Sequence, residues 1–122
     1  MTSTVTTTFR AADLTDLEPK LLGQPSAEPL TGDIMTGSFV PFTSEDGRIL
    51  CGTWECAPGA SRWEFLDRGE FIHVLSGAMT VQRDGEDAVE LTAGSSAVFP
   101  IGWTGTWTVT ETLRKVFTVY RP

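Results

Sequence analysis

The sequence predicts an all-β fold, an antiparallel sandwich or barrel of short strands. Three observations carry this. From about Gly37 onward, runs rich in Val, Trp, Phe and Thr are separated by Asp-Gly and Pro-Gly turns. After residue 20 no stretch reads convincingly as helix, and the chain has no repeat and no low-complexity tract. The strand "EFIHVLS" is largely apolar on both faces, with Glu70, Ile72 and Val74 on one side and Phe71, His73 and Leu75 on the other. A strand wetted on one side alternates more cleanly, so its outer face is expected to be covered by an arm or a second subunit.

The elements follow in chain order. "TSTVTTT" is polar and reads as loose, and "AADLTDLEP" fits a short helix ended by Pro19. "GQPSAEPLTGD" carries two prolines and two glycines and reads as an extended, surface-following segment. Residues 1–36 are therefore expected to form an N-terminal arm and residues 37–122 the folded domain. In the domain, "SFVPF" precedes the turn "SEDGR", and "ILCGTWECA" runs up to "PGAS". "RWEFL" leads to "DRGE", and "FIHVLSGAMTVQR" to "DGED". "AVELTAG", "SSAVFPIG", "WTGTWTV" and "RKVFTVY" complete the strands.

At 122 residues the chain is one domain, long enough to bury about two thirds of its unfolded surface. Its net charge of −7 argues against nucleic acid and against an anionic membrane surface, since both favour a basic face. No apolar run approaches a membrane span. The start "MTSTVTTTFR" lacks the basic and apolar regions of a secretory signal, so the expected location is cytoplasmic. Cys51 and Cys56 point to opposite faces of one strand and read as free thiols. Cys51 has no assignable basic partner to activate it.

Two segments carry a family resemblance. "PGASRWEFLDRGEFIHVLSGAMTV" followed by "AGSSAVFPIGWTGTWTVTETLRKVFTVY" resembles the cupin superfamily, over roughly residues 46–120. More narrowly it is similar to the small single-domain cupins of the (S)-ureidoglycine aminohydrolase and ethanolamine-utilisation type. The resemblance rests on "W-E-C-x-P-G", "E-F-x-H-V-L-x-G", "F-P-x-G-x-x-G-T-W" and "E-T-x-R-K-V". It implies a cupin double-stranded β-helix, a jelly-roll barrel, with an extended N-terminal arm. It also implies a homodimer and a small-molecule ligand of the ureide, amino-alcohol or sugar-acid kind. It does not fix the reaction, because one fold hosts many chemistries.

The superfamily's first motif, G-x5-H-x-H-x3/4-E-x6-G, places its Glu and closing Gly on Glu70 and Gly77. Counted back from Glu70, the histidine positions fall on Trp63 and Phe65, or on Glu64 and Leu66; counted forward from Gly59, on Phe65 and Asp67. The second motif fits through Gly94, Pro100 and Gly102 and puts Gly105 where the third histidine belongs. All three imidazoles are missing. The single histidine of the chain is His73, three residues from Glu70 and on the opposite face unless a bulge intervenes. A transition-metal centre takes three or four protein donors, so no metal and no cofactor are expected.

What remains is a pocket with aromatic walls. Trp107 faces inward by alternation from Gly105, whose missing side chain leaves room, and Trp63 or Phe65 approaches from the facing strand. Glu70 is either a general acid/base or ligand contact, or a structural acid paired with an arginine or with backbone amides. His73 is either a proton shuttle or an outer-face residue at a subunit contact. Lys115 pairs with Glu70, holds an anionic substrate, or lies along the rim, where Arg62 and Arg114 also belong. Trp63, Phe65, Trp107 and Phe99 are ligand walls or core filler, and Trp54 and Cys56 read as packing. Three functions follow. The first is a metal-independent enzyme, with Glu70 and His73 catalytic and Trp63, Phe65, Trp107 and Lys115 binding substrate. The second is a non-catalytic ligand-binding or sensing module. The third is a metalloenzyme with an atypical site of Glu70, His73 and Glu64 or Asp67.

Overall fold

The structure is a computed structural model that describes residues 5–122. Residues 1–4, part of the segment read as loose, lie outside the described residues. Nine strands follow a short 3-10 turn at Ala11–Asp13. They are β1 (Glu18–Leu21), β2 (Ala27–Pro29), β3 (Met35–Thr43), β4 (Ile49–Cys56), β5 (Gly59–Glu64), β6 (Gly69–Arg83), β7 (Val89–Thr92), β8 (Ser96–Phe99) and β9 (Thr104–Tyr120).

The architecture depends on β6 and β9, which pair with each other and bend in the middle. One half of β9, residues 104–109, pairs with β5; the other, residues 113–120, pairs with β4. Likewise β6 takes β8 along residues 70–73 and β7 along residues 78–81. The pairings therefore make two faces that share two bent strands, β1-β3-β4-β9-β6-β8 against β2-β5-β9-β6-β7. This is the jelly roll the sequence predicts. "WTGTWTV" and "RKVFTVY", read as separate strands, are the two arms of β9.

The bend has a residue-level cause. The β6–β9 register slips three times between Val74 and Met79, and Gly77 sits there with φ 84°. A Cβ at this position would collide with the carbonyl of Thr112. Both the left-handed backbone and the close approach demand glycine, which accounts for the motif's closing Gly. In β3 a second register shift, between Phe39 and Phe42, contains Pro41. A proline cannot donate to the ladder, and a bulge is where a sheet accommodates one.

The segment expected as an arm is joined to its own barrel. β1 pairs antiparallel with β3 and β2 with β5. Where "AADLTDLEP" predicts a short helix, only the three-residue turn forms. A competing donor explains this: the Arg114 guanidinium donates to the carbonyls of Ala11 and Leu14 at 2.9 and 2.7 Å, and to Glu55 Oε2 at 2.9 and 2.7 Å. Those carbonyls are drawn to a strand side chain instead of to a helical ladder.

The core lies between the two faces. All four tryptophans enter it with Phe65 and Phe99, in stacked and edge-on pairs with centroids 4.0 to 6.3 Å apart. Such pairs favour offset and T-shaped geometry and pack densely. Glu70, Ile72 and Val74 face this core, whereas Phe71 is exposed and His73 half-buried. Among the described residues no helix is long and apolar enough to cross a membrane.

Candidate functional site

Glu70 sits near the start of β6, opposite Phe99 of β8 and Val119 of β9. Lys115 lies on β9 between Val74 of β6 and Trp54 of β4. Both therefore belong to the inward face, offset by four residues, about 13 Å along the strands. Their side chains lean toward each other, and Lys115 Nζ donates to Glu70 Oε2 at 2.6 Å. Both are buried, with side chains 2% and 7% exposed.

The ammonium is caged. It stands 4.5 Å from the Trp54 ring centroid, 4.6 Å from that of Trp107 and 5.8 Å from that of Phe117. Ring faces attract a cation, more strongly when it is desolvated. Among the described residues no hydrogen bond other than that from Lys115 reaches the Glu70 carboxylate, so Oε1 is left for another partner.

The pair lines a cavity of about 200 Å³ together with Ser26, Leu50, Trp54, Trp63, Arg68, Phe117, Val119 and Arg121. A larger cleft of about 440 Å³ lies outside it and shares Ser26, Arg68 and Arg121. The inner cavity is the candidate site because it reaches Glu70 and Lys115. The outer cleft balances Arg62, Arg68 and Arg121 against Glu28, Glu64 and Asp67 and has no buried titratable pair.

The other candidate residues divide clearly. Trp63 lines the cavity. Phe65 and Trp107 stand behind it as packing, at 5.7 and 4.0 Å from the Trp63 ring, although Trp107 also touches the ammonium. His73 is on the outer face, its Nδ1 sharing a 2.7 Å hydrogen bond with Ser96 Oγ; it is not brought to Glu70. Gly105 does not open the pocket as expected. A Cβ there would strike the Gln82 carbonyl and lie 2.6 Å from the Trp103 ring, so the space is already filled. Sequence reasoning missed Arg68 and Arg121, which lie in a loop and at the chain's end, where strand parity says nothing. It also placed Trp54 in mere packing, although its inward parity was available. Cys56 is buried, and burial pushes its thiol up to about 11, out of reach of nucleophilic work at neutral pH.

The donors do not fit a metal. The third histidine position is closed by backbone at Gly105, and Glu70 is engaged by a lysine. Glu64 and Asp67 are exposed and paired with Arg62 and Arg68. Among the described residues no group of three or more His, Cys, Asp or Glu could hold an ion.

A bent, twice-paired jelly roll with a surviving motif carboxylate beneath an aromatic cage defines a small cupin with an altered centre. Residues 43–117 match the model of the EutQ-like cupin domain. The chain belongs to that family, the small cupins of the ethanolamine-utilisation type. Among solved structures it is similar to the EutQ protein of Clostridium difficile, with 24% identity, a TM-score of 0.62, and 72% of this chain and 69% of that one covered. A predicted oxalate decarboxylase from Thermotoga maritima shares 13% identity at a TM-score of 0.67, over 95% and 100% of the two chains. An HTH_3 family transcriptional regulator from Vibrio cholerae shares 25% identity at a TM-score of 0.57, and the match spans 71% of this chain and about half, 51%, of the regulator. No curated protein sequence matches.

Breaking a buried ion pair by removing one partner costs about 3–5 kcal/mol, whereas replacing both with apolar groups of similar volume is close to neutral. Glu70→Leu and Lys115→Met are each expected to lower unfolding stability by about that amount, and the double variant to recover most of the loss in urea denaturation. Additive losses would show that the two groups are not coupled.

Proposed function

We propose that this chain is a small-molecule-binding cupin that works without a metal, with Glu70 as acid/base and Lys115 as the fixed cation beside it. The observation that carries this is the buried 2.6 Å pair facing a cavity, with one carboxylate oxygen unclaimed among the described residues. In that geometry Glu70 Oε1 takes a proton from a ligand hydroxyl, amine or acidic C–H and returns it elsewhere on the same molecule. The Lys115 ammonium stabilises negative charge that develops on the ligand, and the aromatic walls exclude water that would screen it. The family resemblance supplies the substrate class, a small ureide, amino alcohol or sugar acid.

A second reading, a sensing domain without turnover, is supported by the similarity to half of a transcriptional regulator. The same cavity serves both, and product formation separates them. In a thermal-shift screen of ureides, amino alcohols and sugar acids, one compound class is expected to stabilise the protein. At about 100-fold excess over Kd the gain is about 2.7 kcal/mol. Glu70→Gln keeps an acceptor for Lys115, and its near-UV tryptophan signal should be unchanged while the stabilisation disappears. An undiminished response in that variant would remove Glu70 from the function.

The homodimer implied by the resemblance belongs, on this reading, to the outer sheet face. There Val98, Phe71, Thr118, Cys51 and Phe42 form one row across four strand pairings. Val98, Phe71 and Phe42 are 57%, 42% and 41% exposed, and the row carries no charge to desolvate, which suits a self-complementary contact. Sedimentation equilibrium is expected to give a dimer that Phe71→Lys converts to monomer. A monomeric parent protein would rule this out.

A further inference from the structure

We infer that the ligand of the inner cavity is a small anion, a carboxylate of about half a dozen non-hydrogen atoms, held by Lys115 and Arg68. The inference rests on the small-molecule reading above and deepens it by fixing the sign of the ligand's charge.

The first observation is the local balance. The cavity wall carries Lys115, Arg68 and Arg121 against Glu70 alone, in a chain whose net charge is −7. Three of the chain's nine lysines and arginines thus surround a space that admits one carboxylate. A cavity with an excess of one sign and apolar walls concentrates ligands of the opposite sign.

The second is the state of Arg68. Its side chain is only 15% exposed. Its two hydrogen bonds, to Asp67 Oδ1 and to the carbonyl of Ser26, are both 3.4 Å long, and its guanidinium lies 5.2 Å from the Phe65 centroid. The other well-placed arginines differ. Arg62 grips Asp84 at 2.6 and 2.7 Å, and Arg114 holds Glu55 and two carbonyls at 2.7 to 2.9 Å. A guanidinium has five donors in a fixed fork that matches a carboxylate. Arg68 is covered, faces the cavity and among the described residues lacks a strong acceptor, so an anionic ligand completes it.

The third concerns what is excluded. Glu70 with the faces of Trp54, Trp107 and Phe117 makes a cation site, and Lys115 already fills it. An amine ligand would have to displace a covalently tethered ammonium and then face two arginines. An amino alcohol is therefore disfavoured, and an acid fits. Size follows from volume: about 200 Å³ is room for about seven waters at about 30 Å³ each.

Isothermal titration of the full chain with glycerate, glycerol and serinol, matched in size but anionic, neutral and cationic, tests the assignment. Glycerate is expected to bind at least about tenfold more tightly than either of the others, the scale of a hydrogen bond to a charged group. Arg68→Gln should lose about that factor, and Arg68→Lys should keep the preference for the anion while binding more weakly. The tryptophan fluorescence of both variants reports whether the core is intact. Equal or tighter binding of glycerol or serinol that Glu70→Gln abolishes would overturn the anion assignment and leave the small-molecule reading standing. No binding of glycerate at the highest soluble concentration overturns it too, whereas the small-molecule reading falls only if the thermal-shift screen finds no ligand of any charge.

Discussion

A lysine ammonium buried against one carboxylate is the constraint on which the rest of this site depends. Two charges removed from water cost several kcal/mol each unless their partners are well placed. Here the compensation is a 2.6 Å hydrogen bond and three aromatic faces. That arrangement requires β4, β6 and β9 side by side, with Trp54, Glu70 and Lys115 all at inward positions. It also needs the tryptophan stack behind it, because Trp107 touches the ammonium with one face while Trp63 packs 4.0 Å away. The bend at Gly77 is what lets β6 and β9 contribute to both faces of the barrel and close around this pair.

Within the superfamily's pattern the centre is a cation held by a carboxylate and imidazoles. In this chain the carboxylate is kept, the imidazoles are missing, the third of their positions is closed at Gly105, and a cation is supplied by the chain itself. An ammonium can hold negative charge and give a proton, but it has no vacant coordination position. On the proposed reading, the chemistry open to the site is thereby narrowed to proton transfer and charge stabilisation on a ligand small enough for the cavity. Arg68 and Arg121, which line the same cavity, add fixed positive charge beside the Lys115–Glu70 pair.

Much of this was legible in the sequence. Strand alternation put Glu70 and His73 on opposite faces, although His73 stayed a catalytic candidate because a bulge could have turned it inward, and the motif spacing located Glu70 and Gly77 and showed the missing histidines. The same alternation was available for Lys115, which shares its face with Leu113, Phe117 and Val119, all apolar. What it lacked was an axial coordinate: only the pairing register shows that a lysine opposite Val74 can reach a glutamate four residues away. Arg68 and Arg121 were not legible, because a loop and a chain end have no periodicity to place them. Gly105 misled for a related reason, since a missing side chain marks either open space or a neighbour in close approach, and only the packed strands and the Trp103 ring distinguish the two. The short helix failed because Arg114, about a hundred residues away in the chain, claims its carbonyls.

The claim that Lys115 takes the place of the ion is tested most directly by elemental analysis of untagged protein prepared without chelator or added metal, expressed as metal per chain. The account predicts no transition metal above background, in the parent protein and in Lys115→Met alike, because the remaining donors are too few. Near one metal per chain in the parent protein, lost in Glu70→Gln, would contradict it and would mean that the carboxylate still serves an ion.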